Sequence, residues 1–414
     1  MRESGHTFAL VGPDPKLSAA LPCCRRYRHA CSAILSRPAR GPPPVSATIG
    51  LLSTYPPTQC GLATFTAALA AELPAAGVVR VLEHRDERTG PEVVAQLVAS
   101  DAGSVAPAIE RLNAFDVVVL QHEYGIFGGL DGREVLDVVE LLTVPLVVVF
   151  HTVLVEPTLR QRRILDRLLA TADVGITMTE TARQRLIEHY DADPDRLMVI
   201  PHGAVRHAGA ALPDLPTGRP LILTWGLLGP GKGIEWVLEA LPALRDLDPR
   251  YLVLGKTHPK VLEHSGEMYR RHLERIAAHL SVKDLVEMDD SYVTVAELAR
   301  IVEQADVVLL PYDSQDQVTS GVLIEAVAAG RPVVSTAFPH AVELLSDGTG
   351  LLVDRRDPRA IAAAVRRVLT EPALAADMAQ RATAKAPALS WPSVAGRYQA
   401  IADQLAAANL AAAS

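Results

Sequence analysis

The segment from Gln317 to Thr336 constrains this chain more than any other. Thr319 or Ser320 is placed to cap a helix, Gly330 to end it, and Pro332 to block its continuation. Between those signals Val322, Leu323, Ile324, Ala326, Val327, Ala328 and Ala329 leave the helix no polar face, so it must be buried. Yet Glu325 stands in the middle of it. A buried carboxylate either finds a partner or shifts its pKa, because its desolvation is otherwise uncompensated. An Arg, a Lys or the hydroxyl groups of a ligand must therefore meet it. The helix start, with free N–H groups expected at Ser320 and Gly321, is a natural anion site. A phosphate at the tip and a sugar-like diol one turn along would satisfy both features.

The rest of the chain supplies a scaffold for such a helix. At 414 residues, 49% of them hydrophobic, it is long enough for two cores. A net charge of −8 argues against a chain-wide nucleic-acid footprint. Three of the four cysteines, Cys23, Cys24 and Cys31, share one Arg- and Pro-rich N-terminal segment and lack zinc-site spacing. Only Cys60 is left for the folded body, which is no disulfide framework and suggests a reducing, cytoplasmic setting. Residues 1–46 read as a disordered extension. No apolar run approaches the roughly 18 residues of a membrane span.

Buried strands are expected at Ala47–Ser53, Asp116–Leu120, Pro145–Phe150, Asp173–Met178 and Leu197–Pro201. A loop carrying Gly61 and a helix follow the first, the opening of a nucleotide-type α/β unit in which Gly61 lets a ligand near the backbone. His122 and His151 follow later strands, at the edge where such sheets bind ligands. His122 reads as structural and His151 as functional. The basic helix Leu159–Leu169 reads as a solvated face, with contact to anionic lipid the less favoured alternative. Asp191-Ala-Asp193 reads as turn chemistry and not as a metal site. Residues from Pro201 to Pro220 read as a link, after which a second α/β half begins. There Gly226, Gly231 and Lys232 have P-loop spacing, but Gly233 stands where a Ser or Thr would hold magnesium. An ATPase is therefore excluded and a phosphate-binding role for Lys232 retained. The last helix, Trp391 to about Ala411, is expected to cross back to the first half.

Gln317 and Glu325, with seven residues between them, followed by Ala-Ala-Gly and Pro-Val-Val, resemble the donor motif of the GT-B glycosyltransferases of family four. The second acidic site matches as Glu325; the first is Gln317 where the family has Glu. The 226–233 loop fits at Lys232 and departs at Leu227, where the family carries an Arg. The resemblance implies an α/β fold of GT-B architecture, two Rossmann-like domains with parallel sheets facing across a cleft. An acceptor-side domain would span 47–204, with the helix 391–414 packing back on it, and a donor domain 205–390. It implies a retaining, metal-independent hexosyltransferase that takes a nucleotide-diphosphate sugar and needs no cofactor. His151, Lys232 and Glu325 would carry the chemistry. Gly61, Gln317, Thr319, Ser320, Gly321, Val322 and Tyr292 would bind the donor. The acceptor stays open: a glycan, a small molecule or a lipid. The alternatives are a GT-B phosphorylase or epimerase, or a nucleotide-sugar binder without activity.

Overall fold

Apolar runs punctuated by helices give two parallel sheets, one after the other along the chain. The computed structural model describes residues 46–87, 90–205, 218–291, 293–314 and 317–413. The expected extension, except Ser46, and Tyr292 lie outside the described residues. The first sheet holds β1 (Ile49–Ser53), β2 (Ala76–Leu82), β3 (Val93–Val98), β4 (Val117–His122), β5 (Leu146–Phe150), β6 (Val174–Thr177) and β7 (Leu197–Val199). Its strand order is β3-β2-β1-β4-β5-β6-β7. The second holds β8 (Leu221–Trp225), β9 (Arg250–Leu254), β10 (Val286–Asp289), β11 (Val307–Leu310), β12 (Val333–Thr336) and β13 (Gly350–Val353), in the order β10-β9-β8-β11-β12-β13.

Every strand pairing is parallel. Helices cover both faces, so the central strands β1, β4, β5, β8 and β11 are buried at every position. That is why they read as unbroken apolar runs instead of alternating ones. In each sheet the chain reverses its winding between the first and fourth strands, β1/β4 and β8/β11. A parallel sheet opens a crevice at such a switch point, beyond the strands' carboxyl ends. All the loops of interest leave the sheets there.

Two helices close the chain. The helix Pro372–Leu389, which sequence reading passed over, tolerates Pro387 near its end. The helix Trp391–Ala413 then returns to the first sheet, as expected. Its Trp391, Val394, Tyr398, Ile401 and Leu405 share one core with Ile49, Phe65, Leu69 and Val117. The return is tied to the outgoing link by a parallel bridge between Ala204 and Ser390. The Ala204 N–H donates to Leu389 O at 2.7 Å, and the Trp391 N–H donates to Ala204 O at 3.2 Å.

Gly233 shows why the P-loop threonine has no place here. It begins the helix Ile234–Ala240 with a left-handed φ of +67°. A Cβ there would sit 1.8 Å from the Pro311 carbonyl oxygen at the end of β11. Gly233→Ala is therefore expected to cost at least about 2 kcal/mol, read as a lower denaturation midpoint. Gly61→Ala, where a Cβ meets nothing within 4 Å, should stay within about 0.5 kcal/mol.

Candidate active site

The helix Gly321–Ala328 is buried along Leu323, Ile324, Ala326 and Val327. Ser320 is its cap: the Oγ accepts from the Leu323 N–H at 3.3 Å. The Ser320 N–H is not free, contrary to expectation. It donates to Nδ1 of His340 at 2.8 Å. The open tip therefore consists of the Gly321 and Val322 N–H groups. Thr319 Oγ1 is buried beside it with no hydrogen-bond partner among the described residues.

Glu325 lies one turn in. Among the described residues no guanidinium or ammonium meets it. Its Oε2 accepts from the indole N–H of Trp225, at the end of β8, at 3.2 Å. Burial pushes its pKa up to about 7, and the indole bond only partly offsets this. A cavity of about 220 Å³ adjoins it, lined in part by Leu298, Val302, Ala328 and Thr383.

The glycine loop after β8 runs alongside the same helix; a Cβ on Gly226 would lie 3.6 Å from the Val322 side chain. The Lys232 Nζ sits over the Tyr312 ring, 4.4 Å from its centroid. Tyr312 in turn stacks on Phe338 at 5.3 Å. The ring face attracts the ammonium and fixes a side chain that would otherwise roam. Lys232, Gly226, Gly321, Val322 and Glu325 thus gather at one switch point. Gln317 borders it, but its amide Nε2 donates back to Thr319 O at 3.0 Å, leaving Oε1 as its outward group.

Across the crevice stands the first sheet. His151, just past β5, bonds through Nε2 to Gln121 Oε1 at 2.6 Å. With the amide oxygen as acceptor, Nε2 carries the proton and Nδ1 is a lone pair. Burial first, then His202 and His122, lower its pKa to about 3, so the ring is neutral. Thr152 Oγ1 donates to Glu123 Oε2 at 2.5 Å, and burial raises the Glu123 pKa. Gly61 opens the helix Gly61–Glu72 on the exposed rim, capped by Cys60 Sγ. His122 is buried and serves packing against Tyr124 and Phe150.

Sequence reading missed four residues. His202, inside the expected link, donates from Nδ1 to Gly203 O (2.6 Å) and turns its Nε2 to Gly321. Phe65 takes His151, His202 and Trp391 edge-on, at centroid distances of 5.1, 5.0 and 5.0 Å. His340 and Tyr312 complete the set. The available signals were a Pro-His-Gly at a strand end and a Pro-Tyr after β11; neither singles out its residue without the fold.

The remaining motifs are structural. Asp191 ends a helix at φ +52°, and Asp193 accepts from the Asp195 N–H. Arg160, Arg162 and Arg167 of the basic helix pair with Asp131, Asp166 and Glu140. Among the described residues no group of three His, Cys, Asp or Glu is placed to hold a metal ion. No helix among them is long and apolar enough to cross a membrane.

Comparison with known proteins agrees with this geometry. Residues 60–205 match the family described as Glycosyltransferase Family 4, and residues 219–371 match Glycosyl transferases group 1. A D-inositol 3-phosphate glycosyltransferase of Geodermatophilus obscurus is 32% identical over 264 residues, 59% of this chain and 56% of that protein. Its Corynebacterium glutamicum counterpart is 28% identical over 337 residues, 75% of this chain and 77% of that one. The chain thus spans little more than half the length of the first relative. Anabaena HepE, solved with UDP, superposes at a TM-score of 0.67 with 15% identity, over 85% of this chain and 98% of that one. Sucrose-phosphate synthase from Thermosynechococcus elongatus superposes at 0.67 with 18% identity, over 89% of this chain and 100% of that one. With one family match in each half, two parallel Rossmann-like sheets and the same fold in solved relatives, this chain belongs to the GT-B glycosyltransferases of family four.

Proposed function

We propose that the chain transfers a hexose from a nucleotide-diphosphate sugar to a hydroxyl acceptor, without a metal and with retention at the reacting carbon. The donor half would be 205–390, and the acceptor half 47–204 with the returning helix. One observation carries this reading: a half-buried carboxylate, met among the described residues by an indole N–H alone, lies one turn behind two N–H groups that no described residue takes. Diphosphate oxygens suit the Gly321 and Val322 N–H groups and the helix dipole. Ribose hydroxyls suit Glu325, and the base would enter the adjoining cavity. The D-inositol 3-phosphate glycosyltransferases, named for glycosyl transfer, and HepE, solved with UDP, support this reading.

As the glycosidic bond breaks, negative charge grows on the leaving phosphate. Lys232, held over Tyr312, and the helix tip stabilise that charge more than they stabilise the bound donor, which is where rate enhancement arises. The leaving phosphate would take the acceptor proton as the new bond forms on the same face. Neutral His151 offers Nδ1 as an acceptor to a sugar hydroxyl, with Gln121 fixing its tautomer. Gln317 offers its amide oxygen to the transferred sugar, a weaker grip on developing positive charge than a carboxylate gives.

A thermal-shift screen against UDP, GDP, ADP and their sugars tests the donor assignment. Glu325→Ala should abolish the shift while the ligand-free protein still melts cooperatively; a full shift in that variant would refute the assignment. Lys232→Ala should lower kcat by about 10²–10³-fold with a smaller change in donor KM, measured by nucleotide release. Hydroxyl donors favour the ionised carboxylate. Affinity for the nucleotide sugar should therefore rise as pH passes upward through about 7, the Glu325 pKa, and Glu325→Gln should flatten that profile in calorimetric titrations.

A further inference from the structure

The two halves touch at a point away from the link. The helix Glu180–Tyr190 follows β6 of the first sheet, and its first N–H groups lack intrahelical partners. A residue of the other half supplies them. Glu343, on the helix Pro339–Leu345, accepts from the Glu180 N–H through Oε1 at 2.8 Å. Its Oε2 accepts from the Thr181 N–H at 2.9 Å and from the Thr181 hydroxyl at 2.7 Å. The acidic side chain of Glu180 is drawn aside by Arg183 at 3.0 Å, so it does not repel the incoming carboxylate. One residue earlier, buried Thr179 caps the same helix by accepting from the Ala182 N–H and donates its own proton to Val318 O at 3.0 Å.

These contacts converge on the donor loop. Val318 lies between Gln317 and the Gly321 tip. His340, three residues before Glu343 on the same helix, accepts the Ser320 N–H, and its own N–H donates to Gln317 O at 3.4 Å. The helix Pro339–Leu345 therefore grips the donor loop with one side chain and the opposite half with another.

We infer that Glu343 and Thr179 are positioning residues for the donor site. They clamp the Glu180–Tyr190 helix to the 317–321 loop, so that the N–H groups which would receive a diphosphate are set only while the halves are held together. The inference rests on the donor reading above, but its mechanical part does not need a ligand. The two contacts are independent in chemistry, a carboxylate cap at the rim and a hydroxyl bond in the interior, and they act on the same loop from two sides.

Hydrogen exchange on the full chain tests it, using Glu343→Ala, Glu343→Gln, Thr179→Val and Thr179→Ser. Glu343 is exposed, so its variants should fold. Glu343→Ala should speed exchange about tenfold or more both at Glu180–Thr181 and at the distant 318–322 segment, leaving β4 and β8 unchanged. Glu343→Gln, which keeps one acceptor oxygen, should fall between. Thr179→Val should loosen 318–322, and Thr179→Ser should restore it. UDP serves as the ligand probe: its affinity should fall about fivefold in Glu343→Ala, and UDP should protect Glu180 and Thr181 in the parent, because coupling is reciprocal. Faster exchange confined to Glu180–Thr181 would reduce Glu343 to a helix cap and overturn the inference. So would unchanged exchange at both segments, or unchanged UDP affinity in a parent that binds UDP. A parent that binds no UDP would count against a uridine donor, while the comparison of the two segments would still decide the clamp.

Discussion

A helix that must be buried along its length and open at its tip sets the terms for the second half of the protein. Burial is forced by its apolar surface, and openness by the two N–H groups no described residue takes. Both conditions hold only if the helix lies at a sheet's switch point with its start toward a crevice. The parallel order around β8 and β11 provides that place. The Ser320 cap and the His340 bond then fix the tip in rotation, so that Gly321 and Val322 point outward and Glu325 lies behind them.

Burial also decides which groups carry charge there. His151, His202 and His340 all have pKa values lowered by desolvation, to about 3, 4 and 4. They enter the crevice neutral, as lone pairs and N–H donors. Lys232 sets its Nζ over an aromatic face beside the glycine loop. A lysine and a helix dipole at that crevice would suit the proposed reaction, in which negative charge grows on one leaving group. A carboxylate with its pKa near 7 fits the same economy: it is costly without a hydroxyl-bearing ligand and well placed with one.

Much of this was legible in the residues, and the pattern of what was not has a physical cause. The strands β1, β4 and β5 announced themselves because burial on both faces leaves an unbroken apolar run. The 317–336 segment announced its helix, its cap and its conflict around Glu325. The partner of Glu325 did not appear, because Trp225 is 100 residues away and an indole carries no charge to look for. The Ser320 N–H was read as open because its acceptor, His340, belongs to a helix whose placement only the sheet order dictates. The helix Pro372–Leu389 went unread because Ala-rich sequence with an internal proline gives a weak period. Likewise the group that orients His151 is Gln121, on the neighbouring strand β4 and 30 residues away, where nothing next to His151 points.

The bridge between Ala204 and Ser390 has one more consequence. Outgoing and returning chain are joined by a ladder of two backbone bonds, so a relative movement of the halves would turn about that line. Points near it travel little, and His202 and Trp391 are such points. Points on the opposite lip travel most. There Lys260 reaches from the second half to the Gly125 carbonyl of the first, at 3.5 Å. A fluorophore pair straddling that lip would therefore register the swing with the greatest sensitivity, and one flanking Phe65 would stay silent.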